Sequence, residues 1–273
     1  MFAIRWFIAC LAILWVPCSL LQAQSEYGFV NTRPSGQPYL SPEESVRRMR
    51  VPPGWEVKVF AAEPDIINPI SFTMDEKGRL WVVECYEYPK RTPPGRKARD
   101  RIKVLEDTTG AGKADKVTVW VEGKDLPHFD MASGIEVGHG GVFLGAAPYL
   151  FFLQDTKGGG HCDKVDILLR GFGSHDTHEV LNTLQWGPDG LLYGLHGIFT
   201  QSKVGGVEMN AAVWRYNPGT HKFGIFAEGT SRRPWPGVSG SLRHSALLPH
   251  HSRRHLHSPG GEQSQSLCVR PAS

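Results

Sequence analysis

One repeated unit restricts this chain to few folds. An apolar alternation, a glycine-containing turn and a second strand carrying an aromatic occur at Ile70–Val83, Ile135–Ala146 and Leu184–Leu195. Trp81, Phe143 and Tyr193 hold the matching aromatic position. The turns Asp75-Glu76-Lys77-Gly78, His139-Gly140-Gly141 and Pro188-Asp189-Gly190 have the chemistry of tight hairpins. A second hairpin pattern follows each unit: Arg101–Glu106 with Lys116–Val121, Leu150–Gln154 with Lys164–Leu169, and Ala212–Tyr216 with Lys222–Ala227. Four strands in about 50 residues, repeated, describe a β-propeller blade.

The expected fold class is therefore all-β, an incomplete β-propeller of about three four-stranded blades over residues 55–230. Closed rings take about four to eight blades, so open edges remain and self-association through them is expected. An irregular β-sandwich is the alternative. The 31 Gly and 20 Pro agree with a turn-rich fold, and 40% hydrophobic residues exclude a disordered chain.

The flanking segments read differently. Met1–Ala23 has the form of an export signal: Arg5, an apolar run from Trp6 to Val16, then Pro17. The run is shorter than the ~20 residues that span a bilayer; an uncleaved anchor is the alternative. The expected location is thus exported, periplasmic or membrane-associated. Residues 24–54 form a lead with one short helix, where Ser41 caps, Pro42 starts, Glu44 follows three residues after the cap, and Pro52-Pro53-Gly54 terminates. Residues 231–273 hold nine Ser, five His and five Pro, without a strand pattern. They are expected to be disordered or non-native, such as the product of a reading-frame change, which would make the chain a fragment.

That tail carries six Arg against the single acid Glu262, so the overall charge of +3 belongs to it, and residues 1–230 sum to −2. The body has no basic balance that would call for nucleic acid as a partner. Cys85, Cys162 and Cys268 are an odd number, so at least one thiol is unpaired or pairs with another chain in the oxidising compartment that export implies.

Candidate chemistry concentrates in the run GFGSHDTHE, residues 171–179. A carboxylate that orients an imidazole lets it take a proton from an alcohol. His178, with Asp176 and Glu179, is the candidate catalytic group, and His175 a candidate substrate contact. A polar loop at the propeller rim is the alternative. The H-E-x-x-H spacing of a metal site is absent, and no metal is expected. His128 and Asp130 fall at the equivalent point of the previous blade, and His196 ends a strand of the third. Loops before inner strands crowd around a propeller axis, so these three are candidate substrate-binding residues; a solvated or backbone-bonded His is the alternative. Two nine-residue turns, Asp107–Asp115 and Asp155–Asp163, share one pattern. Their fifth positions, Ala111 and Gly159, supply no side-chain oxygen, so calcium is not expected.

The stretch LSPEESVRRMRVPPGWEVKVFAAEPDIINPISFTMDEKGRLWVVECYEYP, the two DT-x-G-x-G-x-x-D turns and NTLQWGPDGLLYGLHG together resemble a known family. It is the N-terminal propeller of planctomycete-type membrane-bound dehydrogenases, similar in turn to the glucose/sorbosone dehydrogenases. The resemblance covers Ser41–Thr230. It implies an exported oxidoreductase acting on a sugar or a related hydroxyl or aldehyde, with pyrroloquinoline quinone as cofactor. In the sugar dehydrogenases a His shortly before the F-G-P-D-G-x-L-Y strand is the general base. His178, ahead of Trp186-Gly187-Pro188-Asp189-Gly190-Leu191-Leu192-Tyr193, occupies that place. The family's quinone-holding cations come from later blades. A non-catalytic propeller that binds carbohydrate or protein is the other function class.

Overall fold

The computed structural model describes residues 39–126, 129–178, 181–229 and 266–271. The expected export signal, residues 24–38 of the lead and most of the tail lie outside the described residues. Strand β1 (Trp55–Ala61) precedes three four-stranded antiparallel sheets. The first holds β2 (Pro69–Met74), β3 (Leu80–Glu84), β4 (Arg101–Glu106) and β5 (Lys116–Glu122) in chain order. The second holds β6 (Ala132–Gly138), β7 (Gly141–Ala146), β8 (Tyr149–Gln154) and β9 (Lys164–Arg170). In the third, β10 (Asn182–Trp186) and β11 (Leu192–His196) continue into β14 (Ala212–Asn217) and β15 (Lys222–Glu228). A small hairpin, β12 (Ser202–Val204) and β13 (Val207–Met209), is inserted between β11 and β14. These sheets are three propeller blades, as the repeat predicts.

The blades stack face to face. Trp81, Ile102, Val104 and Trp120 of the first pack with Ile135, Val142, Leu144 and Phe151 of the second. Phe143 and Leu150 of the second pack with Leu184, Leu192 and Trp214 of the third. Burying each such side chain contributes roughly 1.5–3 kcal/mol. Strand β2 lies beside β6 and β6 beside β10, so the first strand of each blade is the inner one. Antiparallel pairing then fixes two faces. The links into the inner strands and the loops 85–100, 147–148 and 197–211 share one face, here called the upper. The tight turns at 75–79, 107–115, 155–163 and 187–191 share the other.

The matching aromatics explain the repeated turn. Trp81 Nε1 donates to Asp75 Oδ2 at 2.9 Å, and the Tyr193 hydroxyl donates to Asp189 Oδ2 at 2.8 Å. Phe143 has no polar tip, and its turn carries His139 instead of Asp, edge-on to the ring.

The helix α1 (Pro42–Arg48) starts as expected, with Ser41 Oγ accepting from Glu44 N at 3.1 Å. The Glu44 carboxylate turns away from the cap to pair with Arg47 and Arg48. One tail segment has structure where none was expected: β16 (Ser266–Pro271) pairs antiparallel with β1. An edge strand presents unpaired backbone groups, and the backbone of a short segment can satisfy them.

Candidate functional site

The loop before β10 is built by close backbone packing. A Cβ on Gly171 would sit 2.0 Å from the Lys203 carbonyl oxygen, and one on Gly173 2.3 Å from that of Gln201. Only glycine lets the loop lie directly on the inserted hairpin. Between them Phe172 is buried against His196 and Trp214. Gly173 N donates to Ser202 Oγ at 2.7 Å, and Asp176 N donates to Thr200 Oγ1 at 3.0 Å.

On this support Asp176 holds His178. Asp176 Oδ1 accepts from the His178 backbone N–H at 2.8 Å and lies 3.2 Å from His178 Nδ1. A proton on Nδ1 directed at the carboxylate leaves Nε2 with its lone pair. The imidazole side chain is 64% exposed, and its ring meets Tyr88 of the first blade edge-on at 5.5 Å. His175 is exposed in the same loop. Glu179 and His128 lie outside the described residues.

Asp130 is placed differently. It bonds to Arg91 Nη1 at 3.1 Å and accepts from Thr92 N at 3.2 Å, and Arg91 also reaches the Ala147 carbonyl. Loop 85–100 of the first blade is thereby tied to the second.

His196 does not face the loop surface as a substrate contact would. It is 4% exposed, and its pKa is lowered by burial, against a smaller opposing effect of the Gly197 carbonyl. Nδ1 lies 2.9 Å from that carbonyl, so Nδ1 carries the proton. Nε2 then accepts from the Ser202 hydroxyl. His196 and Ser202 support the His178 loop from below.

The blade-1 loop holds a second set of buried groups that the sequence reading passed over. Glu84, fully buried, accepts from Ile67 N at 2.6 Å and pairs with Arg101 and Lys103. Asp100, also fully buried, accepts from Tyr86 N at 2.7 Å and Ala132 N at 3.3 Å. Burial raises its pKa to about 6; bonds from the Cys85 thiol and Ala132 N–H oppose this, and the Glu87 charge adds to it. Burial first, then Asp100, pushes the Cys85 thiol far above the usual thiol range. Cys85 and Cys162 are free thiols.

Both nine-residue turns satisfy their own carboxylates on the lower face. Asp107 accepts from Ala111 N and Gly112 N, and Asp155 accepts from Gly159 N and Gly160 N.

Three propeller blades carry a His–Asp pair on their upper face. The chain belongs to the family described as Domain of unknown function (DUF7133), matched over residues 41–239. No curated protein matches it. Among solved structures it is similar to the holo pyranose dehydrogenase PQQ domain of Coprinopsis cinerea, with a TM-score of 0.43 and 12% identity over 61% of this chain and 37% of that one. It is similar also to the calcium structure of the Trichoderma reesei carbohydrate-active enzyme family AA12, with a TM-score of 0.41 and 11% identity over 62% and 39%. For virginiamycin B lyase of Staphylococcus aureus the TM-score is 0.29, at 12% identity over 63% and 74%. The chain spans well under half the length of the first two.

Proposed function

We propose that this chain is the propeller of an exported oxidoreductase of the glucose/sorbosone-dehydrogenase type, related to the planctomycete-type membrane-bound dehydrogenases. Its substrate is a sugar or a related hydroxyl or aldehyde compound. The observation that carries the reading is the His178–Asp176 pair, set by two hydrogen-bonded supports in the loop before an inner strand. His178 Nε2 takes the proton of a substrate hydroxyl, and Asp176 stabilises the imidazolium that forms. Tyr88 fixes the ring's edge, and Ser202 and Thr200 hold the loop. Glu179, adjoining His178 in sequence, is a further carboxylate of this loop.

Pyrroloquinoline quinone, when bound, supplies the acceptor for the accompanying electron pair. The described residues fit its proton-handling side only. The cation of loop 85–100 that reaches the second blade, Arg91, is already engaged by Asp130 and the Ala147 carbonyl, and the resemblance assigns the carboxylate-holding cations to later blades.

The test is quinone-dependent dye reduction with a panel of aldoses. His178→Asn is expected to lower the rate by about 10²–10⁴ and to leave quinone affinity within about tenfold. Retention of more than about a third of the rate makes His178 a structural residue. A second reading, a non-catalytic propeller that binds carbohydrate or protein, is favoured by Phe199, an aromatic 70% exposed on the same upper face. It becomes the better reading if the protein binds aldoses without binding quinone or reducing dye.

A further inference from the structure

His196 is covered by the loop that carries His178. The Phe172 ring lies over the imidazole, with the planes 21° apart and the centroids 6.5 Å apart. Three backbone hydrogen bonds seat the loop around it. Gly173 N donates to Ser202 Oγ, Asp176 N donates to Thr200 Oγ1, and Lys203 N donates to the Gly171 carbonyl at 3.1 Å. Ser202 is buried with His196, and Thr200 is fully buried. Lifting the loop removes Phe172 and brings water to the imidazole.

The contacts of His196 suit the neutral ring. Nδ1–H is directed at the Gly197 carbonyl, and Nε2 accepts from the Ser202 hydroxyl. No carboxylate faces the ring among the described residues. In the loop, the Asp176 carboxylate turns to His178, and His175 is exposed. On the inserted hairpin, Lys203 and Glu208 pair with each other at the surface. Ala212 stands opposite His196 on β14, and Glu228, opposite Ala212 on β15, is exposed. Arg215 of β14 lies over Phe226. On β10 the residue at this level is Asn182, opposite Leu195. The Phe172 centroid is beyond the about 6 Å at which an aromatic face stabilises a cation. An imidazolium in this place loses water without gaining a counter-charge. Burial accordingly lowers the His196 pKa, and the Gly197 carbonyl opposes this only in part.

We infer that loop 171–178 is an acid-sensitive latch, closed over His196 while that imidazole is neutral and opened by its protonation. Once the loop lifts, His196 is hydrated and titrates near the ordinary value of about 6.5, whereas under the closed loop it titrates lower. The open form thus binds the extra proton. Opening becomes easier as pH falls below about 6.5, by up to about tenfold per pH unit, until the closed form protonates as well. Acid thereby unseats His178 while the blades stay folded. The inference does not rest on the dehydrogenase reading.

Hydrogen-exchange mass spectrometry on the full chain tests it, with each rate divided by that of the unstructured peptide at the same pH. Protection across residues 171–178 is expected to fall by about threefold or more between about pH 7.5 and about pH 5, while β6–β9 shows no such acid loss. His196→Gln keeps an acceptor for the Ser202 hydroxyl and does not titrate, and its profile is expected to be flat. His178→Asn is expected to keep the wild-type decline. Proton NMR of the wild type gives a second measurement that needs no variant: the His196 ring is expected to titrate below the ordinary histidine range. A flat wild-type profile, the same decline in His196→Gln, its loss in His178→Asn, or a His196 ring that titrates at or above the ordinary value overturns the inference. None of these readouts uses dye reduction, so failure of the dehydrogenase reading leaves them standing.

Discussion

Trp81 and Asp75 close the first blade's inner hairpin: the indole N–H donates to a carboxylate oxygen 2.9 Å away, and Arg79 Nε donates to the same oxygen at 2.7 Å. Burial raises the Asp75 pKa, but the Trp81 and Arg79 donors outweigh it, and the net shift is downward. Asp75→Ala leaves the indole without its acceptor and is expected to destabilise by about 1.5–3 kcal/mol, the range of a hydrogen bond to a charged group. Asp189→Ala, at an exposed turn, is expected to have a smaller effect. Urea midpoints of the two variants check the order.

Asp100 predicts a specific pH dependence. A buried carboxyl held at about 6, against about 3.9 when unfolded, binds a proton more readily in the native state. Its contribution to stability therefore falls as pH rises from about 4 to about 6, by roughly 3 kcal/mol over that window. The stability of the wild-type chain minus that of Asp100→Asn should decline across this range and level off above it. Urea unfolding at half-unit pH intervals measures the difference, and a flat one overturns the assignment.

Gly194 and Gly190 separate two reasons for glycine. A Cβ on Gly194 would lie 2.1 Å from Trp214 Cζ2, and Trp214 is fully buried. Gly194→Ala must displace the indole and is expected to destabilise by about 3 kcal/mol or more. Gly190 has φ +74° and open space around it, so Gly190→Ala is expected to lose only about 1–2 kcal/mol. Thermal midpoints of the pair give the comparison.

Ser202 tests the support of the loop that carries His178. Ser202→Ala removes the acceptor of Gly173 N–H and the donor to buried His196 Nε2. Leaving such groups unsatisfied is expected to destabilise by about 1–3 kcal/mol. Amide exchange across residues 171–178 should quicken in this variant while the β6–β9 blade stays protected, which hydrogen-exchange mass spectrometry can resolve.

The sequence by itself determined the blades. Alternating apolar residues and hairpin turns are local signals, and they placed β2 to β11, β14 and β15 to within a few residues. It also marked the His178 loop, because imidazole and carboxylate are neighbours in the chain. The tertiary structure decided what those residues touch. His196 lies on a strand and reads as a candidate contact, yet it is buried because Phe172, held between two close-packed glycines, covers it. Asp130 meets Arg91 only because loop 85–100 crosses to the second blade, a contact 39 residues apart. The same crossing buries Asp100. Such effects depend on dehydration and on charges brought together from distant segments, and no periodicity along the chain records them.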